Sequence, residues 1–506
     1  LPMTRHPRPM RRVATVVAGT VVLGAAVLTA AALTSPARGS VTPKQVSAAA
    51  LVHQTGQVLL DAQGRVVVLH GLNEVFKVPP YEPAASGFSD DDAAFLQANG
   101  FNAMRVGVIW AAVEPQPGVY DDAYLASIQQ TVQTLAAHGI VSVLDFHQDL
   151  YNETFQGEGA PAWAVLDHGL PNPALGFPGN YFANPAEDAA WDSFFANAKA
   201  ADGVGLQDHY ARAWAHVAAM FGNQPGVFGY ELLNEPWPGT AWEACAVPLA
   251  GCPAQDMQLT KFYQRVARAI RAVDPSTTMW VEPNVLFSYV DTTQLGRVHS
   301  PDVGFAFHDY CGPQAIGLGS ATCKPLDDLS ISAAKTYAGK HHLPLLLTEW
   351  GATTDLTNLT EVRDLADHFQ LSWLEWAYTG NDKTSASPNG QALVFDPTLP
   401  PTGSNVDTSK LAVLAEPYPQ AVAGTPTSWQ FRNGVFTLTY ATTRAGGSGR
   451  FPAGSTTQVA VPAIQYPAGY TVAVSGGTVT SAAGATVLLV ASAAGAKTIT
   501  VTVSPA

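Results

Sequence analysis

The sequence has few charged residues, and basic residues are the scarcer kind. Charged residues make up 13% of the 506 residues, and 26 Lys+Arg against 40 Asp+Glu give a net charge of −14. Nucleic-acid binding needs concentrated Lys and Arg, so this balance argues against a nucleic-acid partner. Apolar residues make up 47% and aromatic residues 9% of the chain, which excludes wholesale disorder and predicts a large buried core.

Cysteine is rare as well. The four cysteines, which allow three pairings, are Cys245, Cys252, Cys311 and Cys323. We expect the pairs that are close in sequence, 245–252 and 311–323, to form disulfides. A zinc site is the alternative, but neither spacing is the short interval typical of zinc ligands. The sequence therefore predicts no metal ion.

The first 40 residues have the features of an export signal. Four arginines precede an apolar stretch at residues 13–33, and small residues follow it. This order is typical of a secretory signal peptide, so we expect residues 1–40 to direct secretion, with translation beginning at Met3 or Met10. The stretch is longer than usual, so an uncleaved N-terminal membrane anchor is the alternative. No apolar run of 18 residues recurs, which predicts that the rest of the chain lies outside the membrane.

The central part of the chain alternates between short apolar runs and helical patterns. The runs, read as strands, are residues 66–71, 103–108, 141–146, 226–233, 278–281, 303–307, 343–348 and 372–377. Helical spacing of apolar residues is clear at 124–138, 206–221 and 257–273. Repeated strand–helix alternation predicts an α/β fold, a (β/α)8 TIM barrel, as a catalytic domain at residues 48–420.

The composition changes beyond residue 420, where acidic residues vanish and Gly, Ser, Thr, Val and Ala dominate. Short alternating runs at 435–440, 458–461, 471–474, 487–491 and 498–503 are separated by turn signals. This pattern predicts a small C-terminal antiparallel β-sandwich at residues 421–506. Runs at 58–61 and 65–69 predict a hairpin that precedes the barrel.

Two glutamates stand out by position. Glu235 lies in Leu-Asn-Glu-Pro at the end of the fourth predicted strand, and Glu349 lies in Thr-Glu-Trp-Gly at the end of the seventh. These strands are almost opposite each other in an eight-stranded barrel, and barrel enzymes place their chemistry at carboxyl ends of strands. A pair of carboxyls about 5 to 5.5 Å apart cleaves glycosidic bonds with retention. Alternatively, each acid alone is a solvated strand end or a salt-bridge partner.

In combination, the two motifs resemble glycoside hydrolase family 5, a cellulase-like family of retaining barrel enzymes, over residues 66–376. The resemblance implies that Glu235 is the general acid/base, that Glu349 is the nucleophile, and that no cofactor is needed. It implies that Asn234 binds the sugar 2-hydroxyl and that Arg105 pairs with the nucleophile. It also implies that four further residues line the sugar subsite, namely His147, His308, Tyr310 and Trp376. The alternatives are a structural ion pair for the arginine, core histidines, and barrel packing for the tryptophan.

Finer features resemble the endoglycoceramidases within this family. These features are residues 73–81, 145–149 and 234–239, the cysteine-bearing insertion at 242–253, and the C-terminal β-sandwich. The resemblance implies a monomeric enzyme that cleaves the bond between oligosaccharide and ceramide in glycosphingolipids at a membrane or micelle surface. It implies that Lys77, Asp145 and Gln314 contact sugar hydroxyls, although Lys77 could instead be a surface lysine.

Two other functions remain open from the sequence. The first is a family 5 endo-β-glucanase or mannanase that acts on polysaccharide. The second is a non-catalytic barrel that binds glycan or lipid, but such proteins usually lose one carboxylate, and both are present here. A ceramide substrate needs an apolar wall beside the sugar cleft, which loops at 78–81, 160–165 and 177–182 could supply.

Overall fold

The computed structural model describes residues 52–506, apart from 248–249, 290–291, 316–318 and 380–388. The predicted export signal at residues 1–40 lies outside the described residues. Within the part of the chain that is described, no helix combines the length and the apolarity needed to cross a bilayer. Both expected disulfides are formed, Cys245–Cys252 and Cys311–Cys323.

Eight parallel strands close into a barrel, as the alternating pattern predicted. In chain order they are His70–Glu74, Ala103–Ile109, Val141–His147, Val227–Glu231, Thr278–Val281, Val303–Asp309, Leu345–Trp350 and Ser372–Glu375. Nearly every residue of these strands is buried, because side chains fill the barrel interior on one face and contact helices on the other. This double burial explains why the strands read as continuous apolar runs.

Helices surround the barrel and occupy the loops above it. They are Pro83–Ser86, Asp90–Ala98, Trp110–Val113, Asp122–Ala137, Gly179–Ala183, Pro185–Phe195, Leu206–Phe221, Trp242–Cys245, Pro253–Arg271, Gly312–Ala315, Cys323–His341, Leu356–Phe369 and Thr408–Leu414. The helix predicted at 206–221 has these bounds in the structure. The helix Asp122–Ala137 begins where the Asp121 carboxylate accepts two backbone N–H groups, as an N-cap does.

The first predicted barrel strand is displaced. The apolar run was expected to enter the barrel at residues 66–71, but the barrel strand runs from His70 to Glu74. Val66–Val67 pairs instead with Tyr418–Val422, a strand of the C-terminal domain. The run of apolar residues continues across both strands, so its pattern does not indicate where the chain leaves one sheet and enters the other.

The C-terminal β-sandwich consists of two antiparallel sheets. One sheet has the order His53–Thr55, Val58–Leu60, Val66–Val67, Tyr418–Val422, Thr456–Ala460, Val487–Ser492, Gly477–Val479. The other has the order Thr425–Arg432, Val435–Ala441, Thr498–Pro505, Tyr470–Ser475. The Trp429 indole donates a 2.5 Å hydrogen bond to Asp367 on a barrel helix, so the sandwich packs directly on the barrel.

Candidate active site

The structure brings the two predicted catalytic glutamates together. Glu349 lies in the strand Leu345–Trp350, and Glu235 lies just beyond the strand Val227–Glu231. A carboxylate oxygen of one lies within 4.8 Å of an oxygen of the other. This separation is closer to the spacing of about 5 to 5.5 Å in retaining glycosidases than to the wider spacing of about 6.5 to 9.5 Å in inverting ones.

Arg105 and Tyr310 engage the Glu349 carboxylate from two sides. The Arg105 guanidinium contacts Oε1 of Glu349, and the Tyr310 hydroxyl donates a 2.6 Å hydrogen bond to Oε2. Arg105 is fully buried and is also bound by Glu231 at 2.6 Å and by Asp145 at 3.0 Å. Burial would lower the pKa of Arg105, but these carboxylates raise it well above its usual value. A permanent positive charge therefore lies against Oε1 of Glu349.

Glu235 is held in an unusual backbone conformation. Its φ angle is +41°, in the left-handed region that non-glycine residues rarely adopt. Two side chains hold this backbone in place: Glu235 N–H donates to Oε2 of Glu282 at 3.0 Å, and Gln148 donates to the Glu235 carbonyl at 3.0 Å. Surrounding hydrogen bonds that over-determine a strained residue are typical of functional sites.

Burial controls the charge of the Glu235 carboxyl. Desolvation, with a smaller contribution from the negative charge of Asp149, raises the pKa of Glu235 to about 8. The carboxyl is therefore protonated at neutral pH and can donate a proton, as a general acid must. Nδ1 of His308 lies 2.9 Å from Oε1 of Glu235.

Asn234 links the two sides of the site. Its Oδ1 accepts a 2.7 Å hydrogen bond from Arg105, and its Nδ2 donates to the Gln148 carbonyl at 2.8 Å. Both contacts fix the amide beside the acid.

A second group of predicted residues forms the opposite wall. His147 stacks on Trp376 with 5.5 Å between ring centroids, and the Lys77 ammonium lies 4.4 Å above the same tryptophan ring. Lys77 is only 2% exposed and pairs with Asp149, so its interpretation as a surface lysine is wrong. Burial and Lys77 would lower the pKa of His147, but Asp145 and Asp149 raise it to about 9.

A cavity of about 390 Å³ opens between these walls. The predicted residues that line it are Lys77, His147, Asn234, Glu235, Tyr310, Gln314, Glu349 and Trp376. Gln314 is anchored there by a 3.0 Å hydrogen bond to Thr353. In contrast, Arg105, Asp145 and His308 are not lining residues. They contact the lining residues Glu349, His147 and Glu235, respectively, so the expectation that Asp145 and His308 reach the sugar directly is not met.

Sequence reasoning missed several lining residues. Phe177 and Pro178 belong to the loop 177–182 that was expected to supply an apolar wall, but Asp149, Tyr289, Cys311, Gly351, Ala352, Thr353 and Gln391 also line the cavity and were not selected. Asp149 was within the motif at 145–149 and could have been selected. Gln391 accepts a 3.1 Å hydrogen bond from the Trp376 indole, but it ends a single 3-10 turn, Asn389–Gln391, that has no local signal of function.

Near the site, acidic residues and a histidine form a cluster of the kind that could bind a metal ion. The ligand atoms of His147, Asp149 and Glu158 lie within 4.8 Å of one another. The Lys77 ammonium contacts Asp149 and lies 3.8 Å from Glu158, so it occupies the position that a cation would take.

Residues 60–382, more than half of the chain, match the profile of the cellulase family (glycosyl hydrolase family 5). Residues 417–503 match the glycoside hydrolase family 5 C-terminal domain. The chain belongs to glycoside hydrolase family 5. It is therefore a glycosyl hydrolase, and the family resemblance of the two glutamate motifs is confirmed.

The relatives of this family 5 hydrolase include several endoglycoceramidases, the group that the finer motifs predicted. Endoglycoceramidase I of Rhodococcus hoagii (strain 103S) is 35% identical over 453 residues, which cover 86% of this chain and 84% of the relative. The endoglycoceramidase of Hydra vulgaris is 28% identical over 79% of each chain. The lactosyl-enzyme intermediate of endo-glycoceramidase II from Rhodococcus sp. superposes with a TM-score of 0.72, at 28% identity over 89% of this chain and 99% of that one.

Proposed function

We propose that this family 5 enzyme is an endoglycoceramidase. It hydrolyses the β-glycosidic bond between oligosaccharide and ceramide in glycosphingolipids, with retention at the anomeric carbon. The observation that carries the proposal is the cavity itself, whose lining combines a carboxyl pair within 4.8 Å, polar residues that suit a sugar, and the apolar residues Phe177 and Pro178. The endoglycoceramidase relatives support it, and one solved relative is a complex with ganglioside GM3.

In the first step, Glu235 donates its proton to the glycosidic oxygen while Glu349 attacks the anomeric carbon. The bond to ceramide breaks, ceramide leaves as the neutral alcohol, and a glycosyl ester forms on Glu349. Because its pKa is raised, Glu235 holds the proton at neutral pH, and the Arg105 guanidinium pairs with the Glu349 carboxyl and fixes its position. In the second step, the Glu235 carboxylate takes a proton from water, whose oxygen attacks the anomeric carbon. The bond to Glu349 breaks, the Glu349 carboxylate is regenerated, and the glycan is released.

The two sides of the cavity suit the two halves of the substrate. Lys77, Gln314 and Trp376 offer a cation, an amide and an aromatic ring, which are groups that bind sugar hydroxyls and sugar faces. Of the three loops considered as an apolar wall, only the one at 177–182 reaches the cavity, through Phe177 and Pro178. Tyr289 adds a further aromatic ring to the lining and is 39% exposed.

The decisive experiment is incubation with a ganglioside and, separately, with a soluble β-glucan, followed by analysis of the released glycan. We expect an intact oligosaccharide from the ganglioside with a β-configured reducing end, seen by NMR before mutarotation, and little product from the glucan. The Glu349→Gln variant is the negative control. Faster cleavage of the glucan or a mannan, with no release from any glycosphingolipid, would support the polysaccharide hydrolase instead.

We also propose that the enzyme is secreted and acts as a monomer on glycosphingolipids at a membrane or micelle surface. The basic and apolar segments of residues 1–40 and the two disulfides support export, because disulfides persist in oxidising compartments. N-terminal sequencing of protein from the culture medium tests cleavage, and light scattering tests the monomer. Protein retained in the membrane fraction with an intact N-terminus would indicate the anchor.

A further inference from the structure

Glu282 follows the strand Thr278–Val281 and is not part of the cavity lining. Glu282 is 1% exposed and is connected to the candidate acid Glu235 in two ways, directly through the backbone and indirectly through His308. Oε2 accepts the Glu235 N–H at 3.0 Å, and Oε1 lies 3.4 Å from Nε2 of His308. The opposite ring nitrogen of His308, Nδ1, lies 2.9 Å from the Glu235 carboxyl.

The imidazole therefore lies between two buried acids. Nδ1 is within hydrogen-bond distance of Glu235, whereas Nε2 is buried without a hydrogen-bond partner among the described residues and has Glu282 as its nearest acid there, at 3.4 Å. A neutral imidazole carries one ring proton, so one nitrogen donates and the other accepts. If Glu235 is protonated and donates to Nδ1, the ring proton must lie on Nε2, facing Glu282. If the ring proton lies on Nδ1, it donates to Glu235 and stabilises the carboxylate, which is the wrong form for a general acid.

Glu282 is the acceptor best placed to select the first arrangement. Glu231 also approaches Nε2 of His308, at 4.0 Å, but its oxygens already accept hydrogen bonds from Arg105 at 2.6 Å and from Thr348 at 2.8 Å. We propose that Glu282 is a positioning residue that holds the ring proton of His308 on Nε2, so that Nδ1 accepts from Glu235 and keeps it protonated. This inference rests on the proposed role of Glu235 as the acid.

The electrostatic surroundings are consistent with a neutral imidazole. Burial lowers the pKa of His308 to about 3, so the ring does not become a cation in the working range of pH. Burial, followed by the negative charges of Glu231 and Glu235, raises the pKa of Glu282, while Arg105 and the Glu235 N–H favour its ionised, accepting form. The charged and titratable groups that face His308 are Glu231, Glu235, Glu282, Glu349, Arg105, Asp145 and His147.

The substitution Glu282→Gln tests the proposal because the hydrogen-bond pattern dictates its outcome. The Glu235 N–H requires an acceptor, so the amide oxygen must take that place and the amide NH₂ must face Nε2 of His308. The ring proton then moves to Nδ1 and donates to Glu235. We expect the basic limb of kcat/KM to move to lower pH by about one unit or more.

The matched control is Asp309→Asn, which removes a buried carboxyl next in sequence to His308. Asp309 faces Asp327 and Ser330 on the outer helix rather than the site. The control should leave the basic limb in place. An unmoved limb in folded Glu282→Gln, or an equal shift in the control, would overturn the proposal.

A spectroscopic measurement on the wild-type enzyme does not depend on whether the variant folds or on which substrate is cleaved. Nitrogen-15 NMR of labelled histidine distinguishes the two tautomers. Below the basic limb, His308 should be protonated on Nε2, and Glu282→Gln should change this to Nδ1. Protonation on Nδ1 in the wild type would overturn the inference even if gangliosides are cleaved, whereas absence of ganglioside cleavage would overturn only the proposed substrate.

Discussion

The Tyr310 hydroxyl donates a 2.6 Å hydrogen bond to Oε2 of Glu349, while the Arg105 guanidinium contacts the other oxygen of the same carboxylate. Each oxygen of the Glu349 carboxylate therefore has a protein partner, and the two contacts together fix the orientation of the carboxylate. Such fixed placement lowers the cost of reaching the transition state, because the nucleophile need not be reoriented or desolvated during attack.

This arrangement makes a prediction for the nucleophile. Glu349→Gln and Glu349→Gly should abolish hydrolysis with little change in thermal unfolding, because the residue lines a cavity rather than the apolar core. Azide should partly rescue the glycine variant on an activated aryl glycoside and give a glycosyl azide of inverted configuration. Full activity in either variant would remove Glu349 from this role.

The acid is tested by the choice of leaving group. Glu235→Ala should slow cleavage of an alkyl-type leaving group such as ceramide by about 10²–10⁴-fold, since that alkoxide requires a proton as it departs. An aryl glycoside with a good leaving group should lose much less in its first step. Comparable losses on both substrates, measured as kcat/KM, would contradict the assignment.

The contribution of the interface between the barrel and the β-sandwich to stability can be tested at Trp429. This side chain is 4% exposed and donates to Asp367, so Trp429→Ala removes both a buried ring and a hydrogen bond. We expect unfolding to be easier by about 3–5 kcal/mol, while kcat/KM of the folded protein stays near wild type. Denaturant unfolding measures the first quantity. The control Trp163→Ala alters a partly buried barrel tryptophan away from this interface.

The sequence predicted the part of the site that follows from position along strands. Glu235 and Glu349 could be selected because carboxyl ends of barrel strands converge at one face. Arg105, Asp145 and His308, which lie behind the lining residues, could be selected as well. The contact of Glu282 with His308 could not, because the pairing of two strand-end side chains is a tertiary contact that leaves no local signal. The same reason explains the misplaced first strand. Pairing of Val66–Val67 with Tyr418–Val422 spans some 350 residues and leaves no local signal.

A buried histidine should make the enzyme sensitive to acid. The His70 ring lies between Trp373 and Tyr418, with centroid distances of 4.3 and 3.7 Å, and burial lowers its pKa well below 6.5. The neutral His70 contributes its full stabilisation above pH 6.5, the pKa of a histidine in the unfolded chain. This stabilisation is lost as the pH falls from 6.5 toward the lower pKa of His70 in the folded state, because the unfolded state then binds the proton more readily.

His70→Phe should therefore reduce the acid dependence of stability. The loss of unfolding free energy between pH 7 and pH 5 should shrink by up to about 1.4 kcal/mol per pH unit, which is the limit for one proton. The exposed His53→Gln is the matched control and should behave as wild type. An unchanged pH dependence in His70→Phe would show that His70 does not contribute.

The last prediction concerns the lipid side of the cavity. If Phe177 binds the ceramide, its contribution should appear in the transition state as well as in capture, since remote binding energy can be used there. Phe177→Ser should then lower kcat/KM for a glycan on ceramide by about 10- to 100-fold, in line with about 1.5–3 kcal/mol for a buried aromatic ring. The same glycan on a small aryl group should be cleaved almost as fast as by the wild type. The matched control is Phe395→Ser, because Phe395 is 38% exposed and does not line the cavity. Equal losses on both substrates in Phe177→Ser would show that Phe177 supports the sugar side or the fold, and the apolar wall would then have to be sought around Tyr289.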